Sequence, residues 1–404
     1  MSLYDELVAL DAGHGMQTYA RLPVVFVRGE GTRLWDSEGR EYLDFLAGLA
    51  VTSLGHAHPV VAEAIAAQAG TLCHVSNLYH NDIQPRLAAT IDGLLGGGGR
   101  VFFANSGAEA NECAIKLARR FGQKAAGPER FHVVSTLNSF HGRTLSTLAA
   151  TGQPAKQAAF QPLPSGFSQV PFADLGALEA EAARLGDGLA AVLVEAVQAE
   201  GGVWVAPPGY LEGVRALCDR TGALLLLDEV QAGLGRTGRW FGFEHSGIRP
   251  DVVSLAKALG NGMPIGACWA RAEVAVAFDA GDHATTYGGQ PLAASAALAT
   301  LEVMQAEDVP ERAAGAGARL AGGLEGVPGV ASVRGLGLLL AAELAAPDGA
   351  PLDARAAAAA CLERGLVVNA VTGTALRFTP PLLVTEAEVD EAVAITAKAL
   401  AAVS

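Results

Sequence analysis

Apolar residues follow two rhythms along this chain. Between residues 101 and 270, short uniformly apolar runs alternate with segments of helical spacing. The runs are VFFA (101–104), FHVVST (131–136), AAVLVE (190–195), ALLLLD (223–228), VVSL (252–255) and GACWA (266–270). Strands that are apolar on both faces and separated by helices predict an α/β fold with a mostly parallel central sheet flanked by helices. Near the N-terminus, RLWDSEGREYLDF predicts two short strands around the turn Ser37-Glu38-Gly39, and HPVVAEAIAAQAG predicts a helix. From about residue 290 the rhythm changes. A long buried helix starting at Pro291 and a helical VPERAAGAGARLAGGLEGV precede a strand, RGLGLLLAAEL. A helix RAAAAACLERG and strands GLVVNAV and ALRFTP follow, and Thr385 with Glu388 forms a capping box for the last helix. The predicted division is an N-terminal segment 1–55, a large domain 56–300 and a smaller α+β domain 301–404 that packs with the N-terminal segment.

Composition narrows the function classes. The 404 residues carry a net charge of −14 and no basic tract, which disfavours nucleic acid as a partner. Charged residues make up 17% of the chain, against about 25% in typical soluble proteins, and this points to buried subunit interfaces. The opening MSLYDELVALDAGHGM lacks the pattern of a secretory signal. The apolar stretch from Pro291 to Leu301 is too short to span a membrane before Glu302 interrupts it. Five scattered cysteines (Cys73, Cys113, Cys218, Cys268, Cys361), with no CxxC, predict reduced buried thiols and a cytoplasmic location. Only His56 and His58 lie close together among the histidines, and no metal-ligand spacing is present. Lysine is scarce, with five among the 28 basic residues: Lys116, Lys124, Lys156, Lys257 and Lys398.

In a sheet of this type the chemistry sits just past the carboxyl ends of the strands. After VFFA, Ser106 and Glu109 have capping-box spacing. By itself this marks a helix start, and with Gly107 the same segment also reads as an anion site at a helix N-terminus. After FHVVST come Phe140, His141, Gly142 and Arg143, either a surface loop or a site in which the arginine holds a carboxylate. Glu195 and Glu200 follow AAVLV as a possible acid–base pair or as loop-ordering carboxylates. Asp228 ends a wholly apolar strand, where a carboxylate is costly unless it meets a cation. Gly233-Leu234-Gly235-Arg236-Thr237-Gly238 has the GxGxxG form of a dinucleotide loop. It begins well past the strand end and opens no helix, which weighs against a dehydrogenase. Lys257 follows VVSL and is the lysine placed where desolvation favours a nucleophilic amine, while the other four have ordinary homes on helix faces and loops. A phosphate cradle, a flat aromatic ring, a buried carboxylate and an imine-forming lysine are the parts a pyridoxal-phosphate site needs.

SGAEANECAIKLARR, SFHGRTLSTLAATGQ, VEAVQAEGGV, LLLLDEVQAGLGRTG, SLAKALGNGMPIGA, TTYGGQPLA and LRFTPPL, in this order, resemble the class III, fold-type-I pyridoxal-phosphate aminotransferases. The likeness covers nearly the whole chain and is strongest to the acetylornithine branch. It implies a homodimer with pyridoxal 5′-phosphate as cofactor and no metal. It implies that Lys257 carries the cofactor and moves the substrate proton, and that Asp228 pairs with the ring nitrogen. Gln231 reaches the phenolic oxygen, Phe140 stacks on the ring with His141 beside it, and Glu195 belongs to the cofactor site. Ser106, Gly107 and Ala108 bind the phosphate, and Thr286 reaches the phosphate in the partner subunit. Arg377 binds the α-carboxylate of glutamate, Arg143 the distal one, and Glu200 covers Arg377 in the other half-reaction. Tyr19, Leu49 and Asn77 line the substrate side, where the apolar Leu49 disfavours a free α-amino group. The implied reaction is N-acetylornithine plus 2-oxoglutarate giving N-acetylglutamate 5-semialdehyde plus glutamate. Succinyl-diaminopimelate, a carrier-bound lysine, ornithine and 4-aminobutyrate are the alternative donors, and a catalytically silent binding protein of the same fold is opposed by Lys257 and Asp228. Ala196, Asn261, Ala284 and Gln290 depart from the usual family pattern, and Asn261 suits a left-handed turn.

Overall fold

The computed structural model describes residues 3–346 and 348–403. Met1 and Ser2, which open the predicted N-terminal segment, lie outside the described residues, as do Pro347 and Ser404. All six apolar runs form strands of one sheet, in the spatial order Gly99–Ala104, Gly266–Arg271, Val252–Leu255, Leu224–Asp228, Leu189–Val194, His132–Thr136 and Phe167–Val170. Gly266–Arg271 alone runs antiparallel to its neighbours. The other pairings are parallel. The edge strand Phe167–Val170 was not expected, because Ser168 and Gln169 break the apolar run. Every residue of Leu189–Val194 and of Leu224–Asp228 is buried. Each buried leucine or valine contributes roughly 1.5–3 kcal/mol, so these central strands are stiff supports.

The helix Gly107–Ala126 crosses the sheet with Ala110, Cys113, Ala114, Leu117 and Ala118 buried against it. The apolar stretch at Pro291 forms the helix Pro291–Ala306, largely buried. No helix of the described residues is long and apolar enough to cross a membrane. Four of the five cysteines are buried and free, whereas Cys73 is exposed, contrary to the expected burial.

The smaller sheet differs from expectation in one place. RGLGLLLAAEL was read as one strand and is a hairpin, Val330–Leu336 and Leu339–Leu344. Gly337 reverses the chain with φ of 54°, and a side chain there would press into the Thr237 backbone at 2.5 Å. Ala375–Phe378 and Asn369–Ala370 complete that sheet. Leu366–Val367 pairs in parallel with Glu41–Asp44, so the late chain extends the N-terminal sheet. The last helix, Glu386–Leu400, opens with the expected reciprocal Thr385–Glu388 capping box.

The Gly233–Gly238 loop joins these parts. Its Arg236 is fully buried and donates to the carbonyls of Leu338, 3.1 Å, and Pro380, 2.6 Å, and to the Ser53 hydroxyl, 3.4 Å. Gly235 and Gly238 lie against Val309 and Ala314, where a side chain would be crowded. The loop packs between segments and presents no helix end to a dinucleotide.

Candidate active site

Five carboxyl-end segments of the large sheet meet around one cavity of about 450 Å³. Ser106, Gly107 and Ala108 line it after Gly99–Ala104, and Phe140, His141 and Arg143 after His132–Thr136. Glu195 and Glu200 follow Leu189–Val194, Asp228 and Gln231 come at and after the end of Leu224–Asp228, and Lys257 follows Val252–Leu255. Parallel pairing sets Asp228 level with Ser254, three residues before Lys257. The sheet therefore brings together residues spread from Ser106 to Lys257.

Ser106 caps its helix, its hydroxyl accepting from the Glu109 amide at 3.2 Å. The expected reciprocal box is incomplete. Glu109 accepts instead from the Asn105 amide, 2.6 Å, and the Asn105 side chain, 2.9 Å. The first amides of the helix, at Gly107 and Ala108, have no intrahelical acceptor and face the cavity, a natural anion site.

Asp228 is buried and well held. Its Oδ2 accepts from Asn111 Nδ2 at 2.7 Å and lies 2.8 Å from His141 Nδ1, and its Oδ1 accepts from the Val230 amide at 3.0 Å. Asn111 also donates to the His141 carbonyl at 2.9 Å. The sequence reading missed Asn111. The signal was available, since a polar residue interrupts the apolar stripe of Gly107–Ala126 and is itself buried. Beside it, Glu195 accepts from the Phe140 amide at 3.2 Å. Burial, then the charge of Asp228, pushes the Glu195 carboxyl well above the usual range, against the Phe140 amide and Lys257.

Lys257 adopts a left-handed backbone, φ 39°, which is strained for a side chain of its size. It is half-buried overall, its open surface facing the cavity. Burial lowers its ammonium to about 8; Glu200, Asp228 and Glu195 oppose this, while Arg377 adds to it. Asn261, at φ 46°, takes the predicted left-handed turn. Its side chain ties the loop to Leu54, accepting at 2.8 Å, and to Gly55, donating at 3.0 Å.

Arg377 lies behind Glu200. It is fully buried, and its Nη1 donates to Glu200 at 2.5 Å and to Gln231 Oε1 at 3.1 Å. Its Nε donates to Asn369 at 3.2 Å, while Nη2 is buried with no partner among the described residues. Burial alone would raise the Glu200 carboxyl, but the charges of Arg377 and Lys257 and the hydrogen bonds from Arg377 and Gln231 hold it down at about 2. Gln231 donates to Glu200 at 3.2 Å, so it belongs to this ion-pair network while also lining the cavity.

The remaining expected residues lie outside the cavity of the single chain. Thr286 and Tyr19 are exposed. Leu49 sits in a left-handed turn in which Ala47, Gly48, Leu49 and Ala50 all have positive φ, two residues before the cavity-lining Val51. Asn77 donates to the carbonyls of Thr285, 3.1 Å, and Gly288, 3.2 Å, holding the loop that carries Thr286. Gln290, another departure from the family pattern, accepts from the Val75 amide at 3.0 Å. Lys156, read from the sequence as an ordinary loop lysine, is half-buried with its ammonium 5.1 Å from the centre of the Phe140 ring.

A helix end open to an anion, an anchored carboxylate, a flat ring and a desolvated lysine fit pyridoxal phosphate. Three buried polar atoms here lack partners among the described residues, Asn111 Oδ1, His141 Nε2 and Arg377 Nη2, as expected where a polar ligand belongs. Fold and site thus define the class of α/β pyridoxal-phosphate enzymes. The sequence matches the family described as aminotransferase class-III over residues 15–400. Acetylornithine aminotransferase from Caldanaerobacter subterraneus subsp. tengcongensis is 47% identical over 96% of this chain and 98% of its own length. Acetylornithine aminotransferase from Gloeobacter violaceus is 49% identical over 95% and 94%. A solved structure of the ornithine aminotransferase from Toxoplasma gondii, described as having partial occupancy of PLP at its active site, is 36% identical. It matches 100% of this chain and 95% of its own, with a TM-score of 0.93. The chain belongs to the class-III aminotransferases.

Proposed function

We propose that the protein transfers the terminal amino group of N-acetylornithine to 2-oxoglutarate with pyridoxal 5′-phosphate as cofactor, giving N-acetylglutamate 5-semialdehyde and glutamate in arginine biosynthesis. The observation that carries this reading is the Arg377–Glu200 pair at 2.5 Å beside Lys257, with a second arginine, Arg143, lining the same cavity. An ω-amino donor brings an amine and no carboxylate to the reacting end, so Arg377 stays covered. Glutamate brings a carboxylate there, for which Arg377 is uncovered when Glu200 swings aside. Arg143 takes the carboxylate at the far end. Relatives at 47% and 49% identity that carry the acetylornithine name support the donor, as does the apolar Leu49.

The cofactor supplies the electron sink that lets the C–H bond beside the nitrogen break. The chain supplies the rest. Ser106, Gly107 and Ala108 would hold the phosphate, and Asp228 would hold the proton on the ring nitrogen. Phe140 would pack on the ring, and the Lys257 amine would take the proton from the carbon on one side of the nitrogen and return it to the carbon on the other. Burial that favours the neutral amine suits Lys257 to this work.

The active assembly is a homodimer in the cytoplasm. Helix Leu3–His14 buries none of its residues, and Leu10, Met16, Tyr19 and Leu22 are exposed. A helix this short is marginal alone in water, so a second copy gives it a surface. In that assembly Thr286 reaches the partner's phosphate site, and Tyr19, Leu49 and Asn77 frame the entrance. The segments 1–55, 56–300 and 301–404 act as N-terminal, cofactor-binding and small units, with Leu366–Val367 linking first and last through Glu41–Asp44.

The test is a donor panel with 2-oxoglutarate: N-acetylornithine, succinyl-diaminopimelate, ornithine and 4-aminobutyrate. N-acetylornithine is expected to give the highest kcat/KM. A higher value for free ornithine overturns the donor assignment. Borohydride reduction of the yellow protein should fix the cofactor mass on the peptide containing Lys257.

A further inference from the structure

Two cations share the Phe140 ring. Arg143 Cζ lies 5.6 Å from its centre and Lys156 Nζ 5.1 Å, both within cation–π range. Neither side chain has a hydrogen-bond or ion-pair acceptor among the described residues, although the chain pairs most of its other cations with carboxylates or carbonyls. Lys156 is half-buried on the short helix Pro154–Gln157. The groups that bear on its charge are few. Burial and Arg143 lower its pKa, and Glu200 opposes them. Glu200 is already committed to Arg377 at 2.5 Å. Arg143 lines the cavity and Lys156 stands beside it over the same ring without lining the cavity, so two positive charges meet at this edge with no anion of their own.

We propose that Lys156 and Arg143 together form a distal-carboxylate subsite, with Lys156 as a specificity-determining residue for both substrates. The inference rests on the reading of the reaction given above. Measured from the reacting carbon, 2-oxoglutarate and N-acetylornithine each carry a carboxylate at the far end of a short chain. The donor's chain is longer by one carbon, the one that bears the acetamido group. A planar guanidinium fixes one carboxylate position, whereas an ammonium on a flexible stem follows a carboxylate over a range of depths. The pair thus accepts both lengths, which one rigid cation would not do equally well. Phe140 orders the two cations before substrate arrives, so little is lost in positioning them.

The test uses the PLP-loaded protein and glutarate, a dicarboxylate that lacks a keto group and cannot react. Calorimetric titration should show glutarate bound about fivefold more weakly by Lys156→Gln, the scale of a partly exposed ion pair. Lys156→Arg should bind within about twofold of wild type, because the charge is kept. In turnover, Lys156→Gln should raise KM for both N-acetylornithine and 2-oxoglutarate by a similar factor with kcat little changed. KM for pentylamine, an amine with no carboxylate, should not move. Unchanged glutarate affinity overturns the proposal, as does a Lys156→Arg variant as weak as Lys156→Gln, which would mean packing on Phe140 rather than charge. A fall in kcat at constant KM also overturns it. Failure of the wild-type protein to use N-acetylornithine would sink the donor assignment instead, while glutarate binding still decides the subsite.

Discussion

The two walls of the cavity are built by different means. The cofactor wall hangs from strand ends. Asp228 closes a fully buried strand and has three hydrogen-bond partners, one of them Asn111 from the adjoining helix. The substrate wall hangs from charge. Arg377 and Glu200 come from segments 177 residues apart and meet in an ion pair, while Arg143 and Lys156 stand over Phe140. Backbone and packing fix the first wall before any ligand arrives. The second is held by interactions that a substrate carboxylate can replace. An enzyme with one cofactor and two dissimilar substrates needs this difference.

The sharpest test of the rigid wall is Lys257→Ala. Turnover should fall by at least about a thousandfold, because in the proposed reaction no other amine takes the place of this one. Far-ultraviolet circular dichroism should match wild type, since Lys257 makes no hydrogen bond that the strands depend on. Residual activity within tenfold of wild type would place the reacting amine elsewhere.

The same residue gives a pH prediction. Its ammonium is lowered to about 8, so the neutral amine is the minority form below that value and the majority form above it. Covalent capture of pyridoxal phosphate by the apo protein should therefore speed up as pH rises and level off above about 8. Between pH 6 and 8 the gain should be about fiftyfold, read by stopped-flow absorbance. A flat profile would mean that burial does not govern this lysine.

How far the sequence foretold each wall follows from these supports. An apolar run ending in a charged residue is visible in one dimension, and so Asp228 and Lys257 could be read directly. Asn111 was missed because its neighbours spell an ordinary amphipathic helix; its importance appears only when the helix is laid on the strand that ends in Asp228. Arg377 sits in a strand, Ala375–Phe378, whose local pattern says nothing about Glu200. Only the family resemblance joined them. Lys156 was misjudged because proline and glutamine around it look like a surface loop, and no sequence pattern reports that the Gln153–Gln157 segment turns back over Phe140. The hairpin at Gly337 was read as one strand for a simpler reason, as apolar residues on both sides of its glycines run on without a polar break.

Asn111→Ala probes the joint between the helix and the rigid wall. It removes the 2.7 Å bond to Asp228 and the 2.9 Å bond to the His141 carbonyl. A buried carboxylate that loses a donor costs about 1–3 kcal/mol, so the melting temperature should drop by several degrees. The kcat/KM should fall about tenfold for both substrates alike if Asp228 serves both half-reactions as proposed. A change confined to one substrate would show that Asn111 belongs to the mobile wall and that the two walls are not held by different means.

Glu200→Gln tests the mobile wall and should give the smallest change in overall rate but the most selective one. The variant keeps the shape of the side chain and removes its charge, so Arg377 loses its counter-ion while retaining Gln231 and Asn369. The N-acetylornithine half-reaction should slow by about fivefold, because an uncovered guanidinium now faces the neutral end of the donor. The glutamate half-reaction should hold or improve, since no internal carboxylate competes with the substrate's own. Stability should show the same asymmetry. The Glu200 carboxyl is held at about 2, below its ordinary value, so in wild type the pair's contribution is complete above the ordinary carboxylate range and is lost only as pH falls toward 2. The variant should lack that acid-side dependence. It should also melt lower than wild type near neutral pH and recover more on adding glutarate, which supplies the missing charge. If glutarate stabilises wild type and variant equally, Arg377 is not the group that the substrate carboxylate reaches. The ion pair would then be as fixed a support as the hydrogen bonds around Asp228.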